Sequence, residues 1–372
     1  MGETWLTSNS WIFLLFSSVV LMVVFFLVYF FEVVRRMGSD HCFDVSAAYF
    51  EDPNSLRKVA FPSVFDPAEK YISLIIPAFN EEHRLPLALD ETMSSWRPTY
   101  IDAYILLLCG GWSAERNISF PFYVSQIYLQ QRAAADKSFT YEVVIVDDGS
   151  TDKTSKVAFD WARKYTIDNV RVILLGKNHG KGAAISQGML HSRGELLLML
   201  DADGATKVTD LEKLELEIRS SYEKELHSRA ARPSDSNPKF SDVAIATFGS
   251  RAHLEQQALA TRKWYRNILM KGFHIVVLLT AGPGIRDTQC GFKMFTRAAA
   301  QKLFTNIRLR RWCFDVELVY LCKYLNIPMI EISVNWSEIP GSKVRMTSIL
   351  HMLFELLLIR TGYGLGIWKI RA

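Results

Sequence analysis

Two aspartates one residue apart, Asp201 and Asp203, follow directly on the apolar run Leu196–Leu200. A run that short reads as a strand buried on both faces of a parallel sheet, and Gly204 lets the chain turn sharply as it leaves. Carboxylates at the carboxyl end of such a strand stand where open α/β sheets bind ligands. Two oxygen donors with this spacing suit a hard divalent cation, Mg²⁺ or Mn²⁺, that also holds phosphates. The plainer alternative is a strand-ending turn capped by solvated aspartates. Similar clusters precede the pair: Pro77–Glu81 after the apolar Tyr71–Ile76, and Asp147–Ser150 after Glu142–Val146. A nucleotide laid across their common edge finds Pro77, Asn80 and Glu81 for ribose or base, and Asp148 for uracil or ribose. A metal on Asp203 would grip the diphosphate, and Lys181, in the Gly-rich turn Asn178–Gly182, is placed to offset its charge.

The elements needed to position these groups are legible as a rhythm. Apolar strands at Tyr71–Ile76, Glu142–Val146, Val170–Leu175 and Leu196–Leu200 alternate with helical stretches, the last running from about Thr209. Such alternation builds right-handed βαβ units and a mostly parallel sheet. Residues 38–70 read as a linker, residues 71–345 as the catalytic domain, and 346–372 as a C-terminal segment. Two stretches break the rhythm: 97–131, an insertion for which the residues indicate no chemical role, and the polar 226–240, a mobile loop. Docking on a membrane, or sequence from an unspliced intron, would each account for the insertion. Ile268–Leu279 and Ser348–Ile370 are apolar but carry charge at helical spacing, which fits amphipathic helices in a membrane interface; ordinary core helices are the alternative.

Composition narrows the class further. The 372 residues carry a formal net charge of +4, which suits a membrane-surface protein and makes no case for nucleic acid. None of the five cysteines forms a CxxC pair, which argues against a zinc site or a disulfide framework. Trp11–Phe31 is uncharged and long enough to cross a bilayer once, within an anchor over residues 1–37. A cleaved signal peptide fits less well, since there is no basic n-region and no small-residue cleavage site. Arg35 and Arg36 follow the span whereas only Glu3 precedes it, so the positive-inside rule puts the rest of the chain in the cytosol. The Asn117 and Asn335 sequons then never meet the glycosylation machinery.

Several familiar sites are excluded. Gly176–Gly182 is one residue short of a P-loop and lacks its Ser or Thr, and Asp201–Gly204 lacks the later ligands of an EF-hand. No GxGxxG follows the first strand, and no Gly-x-Ser-x-Gly is present. Taken in order, Leu74–Glu82, Val146–Asp152, Asn178–Ala184 and Asp201–Gly204 resemble the inverting glycosyltransferases of family 2, which have the GT-A fold. The continuation, Gly249–Leu254, Ile285–Lys293, Trp312–Leu318 and Val334–Lys343, is similar more narrowly to the dolichyl-phosphate β-glucosyltransferase family. The likeness spans residues 71–345 apart from the two irregular stretches, and 97–131 departs from it.

That resemblance implies an α/β GT-A nucleotide-sugar fold with one N-terminal transmembrane helix and C-terminal interfacial helices. It implies UDP-glucose as donor and dolichyl phosphate as acceptor, with Mg²⁺ or Mn²⁺, on the cytosolic face of the endoplasmic reticulum membrane. Protein partners are not indicated. An acceptor phosphate is already ionised at neutral pH, so no strong general base is needed. Cations are needed, and Arg251, Arg286, Lys293 and Arg345 lie in or beside family-like motifs; Arg251 and Arg286 join Asp203 as catalytic candidates, and Lys293 and Arg345 are assigned to the acceptor phosphate. Arg286 could instead pair with Asp287, and Lys293 could be solvated. Asp315 and Glu317 could act in catalysis or be helix-start charges favoured by the dipole, and His179 and His191 are read as structural or surface residues. Asp201 and Asp203 are both assigned to the metal, Asp203 as its main ligand and Asp201 mainly positioning the donor. Competing readings are a GDP-mannose-dependent transferase, a processive synthase, for which a Gln-x-x-Arg-Trp motif is missing, and a non-catalytic scaffold.

Overall fold

The computed structural model describes residues 3–39, 49–86, 128–230, 238–254, 264–337 and 346–371. A long helix, α1 (Glu3–Ser39), is followed by a small antiparallel pair, β1 (Tyr49–Glu51) and β2 (Lys58–Ala60). The main sheet is built from β3 (Lys70–Ala78), β4 (Tyr141–Asp147), β5 (Val170–Leu174), β6 (Gly194–Met199), β7 (Ala246–Ser250), β8 (Lys293–Thr296) and β9 (Met329–Ser333). Its seven strands run in the order β5-β4-β3-β6-β8-β7-β9, all parallel except β8. The expected strands are present, and β3 runs on through Pro77. Leu200 N–H donates to Ile75 O, so odd residues of β3 face β6, whose pairing ends at Ile75–Met199. The N–H that Pro77 lacks therefore falls beyond that ladder.

Alternation along the strands divides the core. Ile72, Leu74, Ile76, Val143, Ile145, Leu196 and Leu198 face one side, with Leu129 of α2 (Tyr128–Ala135), Ala158 and Ala162 of α3 (Thr154–Asn169), and Leu214 and Ile218 of α5 (Leu211–Ala230). Ile75, Val144, Val146, Leu197 and Met199 face the other. There they meet Ala184, Ile185 and Met189 of α4 (Lys181–Leu190), and beyond it α7 (Arg297–Phe304) and α8 (Phe314–Tyr324). Strands covered on both faces need continuous apolar runs, which is the pattern that marked them in the sequence.

Two expectations are corrected. The last residues of the proposed 97–131 insertion open α2; its remainder, up to 127, lies outside the described residues. The first residues of 226–240 belong to α5, and 240–242 form a 3₁₀ turn, so no loop of that length exists; 231–237 lie outside the description. The apolar helices near the C-terminus, α6 (Trp264–Ala281) and α9 (Met346–Gly364), pack on one another, and α9 buries Met352, Glu355, Leu356, Leu358, Ile359 and Tyr363. Each also leaves apolar residues exposed: Ile275, Leu278 and Leu279 on α6, Leu350 and Leu357 on α9. They are thus core helices with an outward apolar stripe. In α1, Leu15–Gly38 is long and apolar enough to cross a membrane. Its inner end is fastened to the globular part: Trp368 Nε1 donates to Val34 O at 2.8 Å, and the Arg308 guanidinium donates to Met37 O and Gly38 O.

At the amino-terminal ends of the strands, Glu142 is fully buried and accepts hydrogen bonds from Ser73, Arg171 and Arg193. These cations hold its carboxyl below the usual range despite the opposing, larger effect of burial. Glu142→Gln would leave the buried Arg171 without its carboxylate partner, while Arg193 keeps Glu69 and Asp168, and should destabilise the fold by about 3 kcal/mol, read by chemical denaturation in detergent.

Candidate active site

The carboxyl ends of β3, β4, β6 and β7 and the amino end of antiparallel β8 meet at one edge of the sheet, where the chain order reverses between β3 and β6. The turns there are tied to one another by side chains. Asn80 adopts φ 52°, and its Oδ1 accepts from Thr151 N at 2.8 Å, while its own N–H donates to Ser150 Oγ at 3.0 Å. Glu81 N–H donates to Thr154 Oγ1, and its carboxylate takes the Arg84 guanidinium in two bonds of 2.6 Å. Asp147 is consumed by Ser150 and Ser155 within its own turn. Asp148 reaches further: its two oxygens accept from His179 N at 2.7 Å and Gly180 N at 2.8 Å, so it braces the Gly-rich turn that follows β5. Burial pushes its carboxyl up, against those two bonds. Lone pairs remain for a ligand, but the task that the geometry displays is to lock two turns together.

Gly180 adopts φ 103°, and a side chain there would run into Arg310 O. The closeness has a purpose: Gly182 N–H donates to Arg311 O and Ala183 N–H to Arg310 O, so the segment around 310 covers the start of α4. The amides of Gly182 and Ala183 are thus already paired with backbone carbonyls. What Lys181 contributes is its ammonium, 2.6 Å from Asp201 Oδ1. Burial alone would lower the Lys181 pKa, but the charge of Asp201 reverses the effect and raises it. Asp203 accepts from Ala205 N at 3.0 Å, and its carboxyl is pushed up first by burial and then by the Asp201 charge.

The sequence motifs Gly249–Leu254 and Ile285–Lys293 form the adjoining wall. Arg251 and Asp287 make a two-bond pair at 2.7 and 2.9 Å, and Arg251 also lies over the Trp336 ring, 5.4 Å from its centre. Arg286 is exposed, and Asp287 is taken by Arg251, so the alternative of an Arg286–Asp287 brace is not the arrangement found. Beside this pair opens a groove of about 690 Å³, lined by the apolar Phe273, Val277, Leu278 and Ile285 together with Arg251, Arg286 and Asp287. Lys293 is elsewhere. It is 0% exposed, its Nζ donating to Cys290 O at 2.6 Å and to Asp315 Oδ1 at 2.5 Å. Its assignment to an acceptor phosphate, and the alternative of a solvated residue, are both corrected by that burial. Arg345 lies outside the described residues.

Three contributors take roles that the sequence reading did not give them. Gly291 lies against Asp201 so closely that a Cβ would overlap the carboxylate. Asp315 is buried with Lys293, burial pushing its carboxyl up against the Lys293 and Lys181 charges. Glu317 accepts from Arg308 N, Leu309 N and Tyr363 Oη, holding the segment that covers α4. Asp315 and Glu317 stood out in the sequence as acids at a helix start and Gly291 as part of the motif Ile285–Lys293, but none of them showed its partner.

The two carboxylates fit a Mg²⁺ or Mn²⁺ that completes its shell with diphosphate and water. Among the described residues no cluster of three or more His, Cys, Asp or Glu side chains could form a closed metal cage. Layered sheet and acidic edge together define a glycosyltransferase of the GT-A fold, and residues 128–304 match the family model for glycosyl transferase family 2. A human relative, dolichyl-phosphate beta-glucosyltransferase, is 44% identical over 315 residues, covering 84% of this chain and 82% of its own. The namesakes from Drosophila melanogaster and Saccharomyces cerevisiae are 43% and 34% identical, covering 86% and 82% of this chain and 84% and 78% of theirs. The chain belongs to the dolichyl-phosphate beta-glucosyltransferase family. Among solved structures, glucosyl-3-phosphoglycerate synthase from Mycobacterium tuberculosis with uridine-diphosphate superposes with a TM-score of 0.41 at 12% identity, covering 80% of this chain and 81% of that one.

Two variants probe this construction. Gly291→Ala should displace Asp201 and weaken binding of UDP with Mn²⁺ by about 10- to 100-fold in calorimetry, with little change in melting temperature. Burial pushes the Glu317 carboxyl up to about 7 from 4.5, so the folded form keeps a proton that the unfolded chain has lost between those values. The stability contributed by this group therefore falls as pH rises through that window. In Glu317→Gln the melting temperature should depend less steeply on pH between 4.5 and 7.

Proposed function

We propose that this chain transfers glucose from UDP-glucose to dolichyl phosphate with inversion, giving dolichyl β-D-glucosyl phosphate and UDP. The 44% identity with the human dolichyl-phosphate beta-glucosyltransferase carries the reading, and the site's chemistry agrees with it. An acceptor phosphate oxygen forms the new bond at the anomeric carbon while the bond to UDP breaks, and the electron pair leaves with the β-phosphate through an oxocarbenium-like state. A divalent cation on Asp201 and Asp203 supplies stabilisation of the leaving diphosphate when bound. Lys181 adds a fixed positive charge beside Asp201, and Pro77, Asn80, Glu81 and Asp148 shape the pocket for the nucleoside. The acceptor is anionic and lipidic, which matches a groove lined by both cations and apolar residues. Arg286 is the exposed cation at that groove, and Arg251, braced by Asp287, holds its guanidinium still.

The same reading places the chain in the endoplasmic reticulum membrane, with residues 1–37 as a single-pass anchor and residues 71–345 as the cytosolic catalytic domain. Three observations support it: the apolar length of α1, the basic residues after it, and the apolar stripes on α6 and α9. These stripes would rest on the bilayer surface beside the groove that takes the lipid.

Membranes containing the protein, given labelled UDP-glucose and dolichyl phosphate, should make a labelled lipid, and label from GDP-mannose alone would overturn the choice of sugar. Asp203→Ala should cut turnover by about 10²–10³-fold or more while the protein stays folded and membrane-bound, which a non-catalytic scaffold would not show. Arg286→Ala should raise the KM for dolichyl phosphate with little effect on that for UDP-glucose.

A further inference from the structure

Beneath the acidic edge lies a pair of charges that the proposed reaction does not use. Lys293, at the start of β8, and Asp315, in the first turn of α8, bury an ammonium and a carboxylate against each other at 2.5 Å. A buried ion pair is a poor device for stability, since apolar residues of similar size commonly serve as well or better. A helix-start charge needs only an exposed carboxylate near its own amides. Neither accounts for this pair.

Its connections do. Lys293 Nζ also donates to Cys290 O, which fixes the backbone immediately before Gly291, the residue against which the Asp201 carboxylate rests. On the other side, Lys181 pairs directly with Asp201 and also feels the favourable charge of Asp315, whose carboxylate is repelled by that of Asp201. The result is an alternating series: Lys293 positive, Asp315 negative, Lys181 positive, Asp201 negative. Both restraints on Asp201, the wall at Gly291 and the ammonium of Lys181, lead back to the buried pair.

We infer that Lys293 and Asp315 are positioning residues for the donor half of the site, holding Lys181 and Asp201 in the geometry that receives the nucleotide diphosphate and its cation. When a divalent cation shares Asp201, Lys181 loses part of its counter-charge. The fixed carboxylate of Asp315 keeps that ammonium in place beside a doubly charged neighbour. The inference rests on the glucosyltransferase reading only for the identity of the donor; binding of UDP with Mn²⁺ tests it separately.

The test removes both charges together, so that none is left buried alone. Lys293→Met with Asp315→Leu should keep its melting temperature near that of the parent protein. It should bind UDP with Mn²⁺ about 10-fold or more weakly in calorimetry and raise the KM for UDP-glucose similarly, with the KM for dolichyl phosphate unchanged. Unchanged UDP–Mn²⁺ binding in a folded double variant would overturn the inference. So would equal increases in both KM values together with a fallen melting temperature, which is the signature of a merely structural pair. If the double variant does not fold, Asp315→Asn is read by the same criteria. Weakened UDP–Mn²⁺ binding in a chain that transfers no glucose at all would sustain the positioning role and refute the glucosyltransferase reading instead.

Discussion

Two like charges at the end of a strand buried on both faces set the terms for everything around them. Asp201 and Asp203 repel one another in a place where water screens little, and burial and this repulsion both push the Asp203 carboxyl up. Such a pair persists only if the surrounding chain supplies compensating charge in fixed positions and leaves space for a cation. Lys181 gives the charge at 2.6 Å, and Gly291, by having no side chain, gives room for the Asp201 carboxylate itself. The turns after β3, β4 and β5 are stitched together by Asn80, Asp147 and Asp148, so the edge is stiff before any ligand arrives. Stiffness has value here, because an electrostatic site works best when its dipoles and charges need not reorganise.

The same edge is continuous with the part of the chain that meets the membrane in our reading. Residues 308–311 take part in both. Arg308 holds the carbonyls at the end of α1, and the carbonyls of Arg310 and Arg311 receive the first amides of α4, next to Lys181. Glu317 and Tyr363 clamp the segment from behind. Anchor and donor site are therefore joined through a few residues of packed backbone, and the groove beside α6 lies on the same side as the exposed apolar stripes. An enzyme whose donor is water-soluble and whose acceptor is a lipid needs such a join, since its two substrates arrive from different phases.

Much of this was legible in the sequence. The apolar runs that became β3 to β6, the helices after β4, β5 and β6 and the strand-end carboxylates all announced themselves, because burial on both faces imposes an unbroken apolar pattern and strand ends are where it must stop. What was misread has a common cause. Lys293 looked like a solvated or ligand-binding lysine because nothing local distinguishes a buried ammonium from an exposed one. Its burial depends on Asp315, 22 positions away, and on the antiparallel placement of β8. Nothing local announced that the start of α4 is covered either, since the carbonyls that cover it come from residues about 130 positions later. The C-terminal helices presented charge at helical spacing, and only packing showed that Glu355 of α9 is buried, accepting from Cys313 N at 2.9 Å.

By itself, then, the sequence determined the alternating α/β plan, the apolar N-terminal helix, and the placing of two aspartates just beyond the end of a buried strand. These are properties of short stretches, governed by the period of burial and by the chemistry of neighbouring side chains. The tertiary structure alone decided which charges are spent on each other and which remain to meet a ligand: Arg251 with Asp287, Lys293 with Asp315, Lys181 with Asp201, and Arg286 left exposed at the groove. Pairing of charges is a matter of distance in space and of the water excluded between them. Both are settled only when strands distant in sequence have taken their order in the sheet.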